Sequence, residues 1–222
     1  MSIGRLTDLQ ERALRLLASI EPPWTLTGGA ALAGFHTAHR ETRDLDLFWL
    51  GRASLDALPA AVADVLRRDG LVVHDLQASP AFHRLQVSDG REALVVDLVA
   101  DRAERAEPPT ECLVGGVKVR VETPYQILVN KLTTLLSRAE LRDLDDVRVL
   151  LGAGGDLAKA LADAPRVDAG FSPLTLAWVL ETLPLRLLAS RQGRRPEEVE
   201  ALEHFRRDLI ERLTRAATPD AR

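Results

Sequence analysis

The sequence predicts an α+β protein in two parts: a mixed sheet with flanking helices over residues 1–122, then a helical bundle over residues 123–222. Three observations predict it. Short apolar runs of strand length, bounded by glycine-rich turns, recur up to Val121. The pair Thr123-Pro124 then opens a stretch in which the apolar residues keep helical spacing. The composition is ordinary for a globular chain, 46% apolar and 28% charged over 222 residues. That argues against a disordered or low-complexity chain, and the length suffices to bury a core without covalent staples.

Leu6, Leu9, Ala13, Leu16, Leu17 and Ile20 sit on one helical face, so residues 6–20 form an amphipathic helix, stopped by Glu21-Pro22-Pro23. Residues 24–27 make a short apolar strand, which runs into Gly28-Gly29 and a small-residue helix over 30–36. Residues 45–50 read as a buried strand. Ser54 is expected to cap a helix that reaches Arg68, with Gly70 ending it. Strands follow at 71–76, 82–87 and 93–99, the last two joined by Ser88-Asp89-Gly90. Gly115-Gly116 is a two-residue hairpin loop between 112–114 and 117–121. Helices are then expected over 124–137, 141–151, 156–163, 173–188 and 196–215, with Ser172-Pro173 and Arg195-Pro196 marking two of the starts.

Cys112 is the single cysteine, so neither an internal disulfide nor a cysteine zinc site can form. That usage fits a reducing compartment, and the expected location is cytoplasmic. The N-terminus carries acids early and no apolar core of signal-peptide type. The most apolar late stretch, 173–190, is interrupted by Glu181, Pro184 and Arg186, so no membrane partner is expected. A net charge of −4 argues against a general nucleic-acid coat protein and leaves a local basic patch open. Among the cations only Lys118, Lys131 and Lys159 are lysine.

The chemistry concentrates in two blocks. In the first, a strand runs into Gly28-Gly29 and a helix start, where glycines let a ligand approach the backbone and free N–H groups favour phosphate. Asp44 and Asp46 follow, two apart on a strand and therefore on one face. Two adjacent carboxylates repel unless a cation sits between them, and a hard cation shares its ligands with substrate phosphates. A third acid, Asp97, interrupts an otherwise apolar strand. It either completes a metal site, serves as base for an attacking hydroxyl, or points to solvent from an edge strand. Together these features spell metal-dependent phosphoryl or nucleotidyl transfer.

The pattern of two glycines, then R-x-T-x-D-x-D at Arg40, Thr42, Asp44 and Asp46, then Asp97, resembles the DNA polymerase β-type nucleotidyltransferase superfamily. The second block, Lys131, Arg138, Arg142-Asp143 and Asp146, resembles the K…R…RD-x-x-D segment of the AbiEii toxin nucleotidyltransferases of type IV toxin–antitoxin systems. The resemblance covers about residues 20–155. It implies a polymerase β-like nucleotidyltransferase core followed by a helical domain that completes the nucleotide cleft. The implied cofactor is Mg²⁺ or Mn²⁺ on Asp44, Asp46 and Asp97, with an NTP as co-substrate. Gly28, Gly29, Arg40, Thr42, Lys131 and Arg138 would bind the nucleotide; Asp44, Asp46, Asp97, Lys131 and Asp143 would make the catalytic set, with Asp143 near the cleft in a role the motif does not fix. The implied acceptor is RNA such as tRNA, with a small hydroxylated molecule as the alternative, and the implied protein partner is a cognate antitoxin. Some relatives carry a lysine two residues before the third acid, where this chain has Val95.

Without the resemblance, Lys131 and Arg138 mark the wet side of a helix as readily as a binding face, and Asp143 and Asp146 fit a helix N-terminus. A non-catalytic nucleotide-binding module is the alternative from another class. Residues 152–155 read as a helix cap and turn, His36 and His39 as helix-end histidines or substrate contacts, and Cys112 as packing.

Overall fold

The computed structural model describes residues 4–218. Its contacts divide the chain between Ile127 and Leu128 into two compact units.

The first unit is built on a seven-stranded mixed sheet in the order β3-β4-β5-β2-β1-β7-β6. The strands are β1 (Thr25–Thr27), β2 (Asp44–Leu50), β3 (Val72–Ala78), β4 (Phe82–Ser88), β5 (Ala93–Asp101), β6 (Thr110–Val114) and β7 (Val117–Val121). β5 pairs parallel to β2 and β1 parallel to β7, and the other neighbours are antiparallel. β2 shows why the sequence folds this way. Leu45, Leu47 and Trp49 are buried, while Asp44, Asp46 and Phe48 alternate onto the other, half-buried face.

Helices α1 (Asp8–Leu17) and α3 (Leu58–Arg68) pack against each other beside the sheet. Thr7 and Gln10 form a reciprocal capping box at the start of α1. The indoles of Trp24 and Trp49 donate to the Leu17 and Pro22 carbonyls, each at 2.7 Å, so both large side chains bury without an orphaned N–H. Two details differ from expectation. Ser54 does not cap α3. Its hydroxyl donates to Asp56 Oδ1 at 2.6 Å, and α3 begins at Leu58. The helix after the glycines is a single turn, α2 (Gly28–Ala31), passing into a π turn over Leu32–His36.

Helix α4 (Pro124–Arg138) starts where expected, with Thr123 Oγ1 accepting from the Gln126 N–H at 3.1 Å. The second unit continues with α5 (Leu141–Gly152), α6 (Leu157–Val167), α7 (Pro173–Thr182), α8 (Leu185–Arg191) and α9 (Pro196–Ala217). The helix expected over 173–188 is two helices. Pro184 has no N–H to donate and drives Leu183 into extended backbone, at ψ 120°. Helices α5, α7 and α8 pack on α9 around Leu144, Leu176, Leu180, Leu209 and Leu213, all buried. Among the described residues no helix is long and apolar enough to cross a membrane.

Candidate active site

Four strands set one row of residues side by side. Arg84 of β4 pairs with Asp97 of β5, Asp97 with Asp46 of β2, and Asp46 with Thr27 of β1. Residues paired across strands share a face, and neighbouring strands lie about 4.8 Å apart. Asp46 and Asp97 are therefore neighbours, with Asp44 one pleat along on the same face.

Gly28 follows Thr27 with φ +64°, and a Cβ built there would overlap Asp46 Oδ2. Both the left-handed backbone and the close carboxylate require glycine. A Cβ on Gly29 would stand 2.8 Å from Arg40 Nη2 and 3.2 Å from Thr42 Oγ1. The segment ahead of β2 thus folds back over the glycine pair. Thr42 Oγ1 accepts from the Asp44 N–H at 3.4 Å, and the Thr42 carbonyl accepts from Gln10 Nε2 at 3.0 Å. Gln10, fully buried on α1, was not foreseen as a support of this loop. The structure brings Gly28, Gly29, Arg40, Thr42, Asp44, Asp46 and Asp97 together within the sheet unit.

Asp97 is not on an edge. β5 lies between β4 and β2, and Asp97 is 6% exposed. Both of its oxygens are engaged by one guanidinium: Arg84 Nε donates to Oδ1 at 2.7 Å and Nη2 to Oδ2 at 2.6 Å. The hydrogen-bonded Asp97 carboxylate holds the Arg84 pKa above its usual value. Partial burial opposes this, and the charges of Asp97, Asp44 and Asp46 add to it. Sequence reasoning missed Arg84. Its only signal is a cation alternating with the buried Leu85 and Val87, and the pairing partner is set by sheet register.

The donor chemistry fits a hard divalent cation at Asp44 and Asp46: paired carboxylate oxygens on one face, beside a backbone left bare by Gly28. Asp97 stands next to them with both oxygens on Arg84. Among the described residues, no group of three or more His, Cys, Asp or Glu side chains gathers as a metal cluster.

The second block forms a cluster of its own in the helical unit. Lys131 Nζ lies 2.6 Å from Asp143 Oδ1 and 2.7 Å from Asp146 Oδ2. Arg138 Nε donates to Asp143 Oδ2 at 2.8 Å and Nη2 to Oδ1 at 3.1 Å. Asp143 and Asp146 are fully buried and Lys131 nearly so, so Lys131 is not on a solvated helix side, while Asp143 does stand in the first turn of α5. Burial pushes the Asp143 pKa up, but the Arg138 hydrogen bond and the Lys131 charge outweigh it and hold the carboxyl below its ordinary range. The spacings explain the meeting: Lys131 and Arg138 share a face of α4, and Asp143 and Asp146 share a face of α5.

The remaining candidates have structural partners. His36 Nε2–H donates to the Glu122 carbonyl at 2.8 Å, and His39 Nδ1 lies 2.7 Å from the Thr37 hydroxyl. Gly154, at φ +97°, turns the chain after α5, and the Gly155 N–H returns to the Leu150 carbonyl at 3.0 Å.

The fold belongs to the nucleotidyltransferase class. It is shared with a solved candidate nucleotidyltransferase from H. pylori, at 20% identity over 95% of this chain and 98% of that one, with a TM-score of 0.54. JHP933 from Helicobacter pylori aligns at 20% identity over 92% of this chain and 90% of its own, TM-score 0.49. An antigenic nucleotidyltransferase-like protein from Paracoccidioides brasiliensis aligns at 18% identity over 90% and 94%, TM-score 0.49. No curated protein matches the chain. The family model of the nucleotidyl transferase AbiEii toxin of type IV toxin–antitoxin systems matches residues 12–219, and the chain belongs to that family. It is a nucleotidyltransferase.

Proposed function

We propose that the chain moves a nucleoside monophosphate from an NTP to an acceptor hydroxyl on RNA such as tRNA, releasing pyrophosphate. It does so with Mg²⁺ at Asp44 and Asp46, as the toxin half of a pair with a cognate antitoxin. The observation that carries this reading is the apposition of Gly28 to the Asp46 carboxylate, in the row that also holds Asp97. It supports the reading because a bare backbone and two neighbouring acids would suit a metal-bound triphosphate.

A bound divalent cation supplies charge neutralisation on the transferring phosphoryl group. The chain does the rest. Gly28 and Gly29 admit the triphosphate oxygens to the backbone, Arg40 offers a guanidinium beside them, and Thr42 holds the loop that aims Asp44. Asp97 would receive the proton of the attacking hydroxyl or join the pair on the cation, and in either role the Arg84 guanidinium competes with the newcomer for its oxygens. The family resemblance supports a part in nucleotide binding for Lys131 and Arg138, with Asp143 holding both. Arg138, whose side chain is 44% exposed, is the member of that cluster best open to phosphate. The reading of RNA as acceptor is supported by a cavity of about 620 Å³ that runs from Thr42 past Arg5, Arg43 and Arg91, with Glu41 and Glu92 as its acids.

The test incubates the protein with Mg²⁺ and each α-labelled NTP, over total RNA and over a panel of hydroxylated small molecules, beside the double variant Asp44→Ala/Asp46→Ala. The expected outcome is label on RNA with the unaltered chain only. Label on a small molecule would replace the acceptor class. Transfer by the double variant would overturn the reading, and nucleotide binding without any transfer would favour a binding module.

A further inference from the structure

Among the described residues, the register row Thr27, Asp46, Asp97 and Arg84 holds a cation beside its acids. Arg84 is in register with Asp97, occupies both of its oxygens at 2.7 and 2.6 Å, and lies within the field of Asp44 and Asp46. Its side chain is 43% exposed against 9% for that of Asp97, so the guanidinium covers the buried carboxylate from the solvent side. A bidentate pair of this kind is among the stronger contacts a carboxylate makes with a side chain. A cation entering beside Asp46 meets a neighbouring acid already neutralised and a positive charge already in place.

We propose that Arg84 is a resident counter-ion on Asp97, which makes the acidic row take up its divalent cation together with the nucleotide rather than ahead of it. The inference rests on the metal reading above. The coupling follows from the partners available to the guanidinium. Without nucleotide, its best anion is Asp97. A triphosphate brought to the same face offers an alternative anion of higher charge, and Arg84 moving to it uncovers Asp97 for the cation. Arg84 is thus a positioning residue that links two binding events, and the linkage is reciprocal.

The experiment titrates the full chain with Mn²⁺, following free Mn²⁺ by electron paramagnetic resonance, with and without a non-hydrolysable NTP analogue. In the unaltered chain the analogue should tighten Mn²⁺ binding by roughly tenfold or more, the scale of removing one nearby like charge at a partly exposed site. Arg84→Gln should bind Mn²⁺ alone roughly tenfold more tightly and lose most of the tightening by nucleotide. Arg84→Lys, which keeps a charge but not the two-point clamp, should fall between and serves if the glutamine variant does not fold. Asp46→Asn separates this inference from the reading beneath it. If Asp46→Asn keeps full Mn²⁺ binding, the metal reading fails. If Asp46→Asn loses binding while the Arg84 variants match the unaltered chain in affinity and coupling, the role of Arg84 alone is overturned.

Discussion

Asp143→Asn removes one negative charge from a position with no solvent exposure. In the native protein that carboxylate takes Lys131 Nζ at 2.6 Å and two Arg138 contacts at 2.8 and 3.1 Å. Breaking a buried ion pair from one side costs about 3–5 kcal/mol, because the partner charge stays buried. Here Lys131 retains Asp146 at 2.7 Å, and Arg138 is exposed enough to return to water. The loss should therefore lie at the low end, about 3 kcal/mol. For a chain of this size that is a fall in Tm of about 6–12 °C. Lys131→Met should cost more, about 4–5 kcal/mol, since it strips both buried acids of the same ammonium at once. Urea and thermal unfolding by far-UV circular dichroism measure both. The pH course adds a signed check. The Asp143 carboxyl is held below its ordinary range, so its contribution is complete above the unfolded value of about 3.9 and fades as pH falls through the folded value. The gap between native chain and Asp143→Asn should close in acid. A loss within about 0.5 kcal/mol for Asp143→Asn, or a Lys131→Met variant more stable than the native chain, would refute the account of this cluster.

Two further outcomes are expected. Gly28→Ala places a methyl against Asp46 Oδ2 at φ +64°; it should lose about 1–2 kcal/mol of stability to the left-handed backbone and at least about a hundredfold in transfer rate by displacing the carboxylate. A variant with native kinetics would show that the apposition has no catalytic use. His36 is kept below its usual pKa by burial, only partly offset by its bond to the Glu122 carbonyl, so the unfolded chain protonates first and stability is lost as pH falls below about 6.5. His36→Gln should melt with a shallower pH dependence over that range, and superimposable curves would exclude this residue as the source.

Much of the site could be read before any fold was known, because its residues obey local rules. The alternation of Asp44 and Asp46 with Leu45 and Leu47 puts both acids on one face of any strand those residues form. Gly28 marks a left-handed turn that disfavours a side chain, and Gly29 a spot where side chains crowd the backbone. The proline pairs mark helix starts, and Pro184 carried the break between α7 and α8 that a long apolar run concealed. These are properties of residues a few positions apart, set by dihedral angles and strand or helix period.

Tertiary structure decided what depends on pairing between distant segments. That Asp97 is buried rather than on an edge follows from β5 lying between β4 and β2. That Arg84 occupies it follows from a register no local pattern encodes, since a slip of one residue would send the guanidinium to the other face. That Gln10 holds the loop before Asp44 follows from a contact across 32 positions. In the helical unit the motif residues were visible, but their balance was not. Lys131, Asp143 and Asp146 are buried together with Arg138 closing on Asp143, and only the meeting of α4 with α5 balances two acids against two cations that the sequence alone would leave in water.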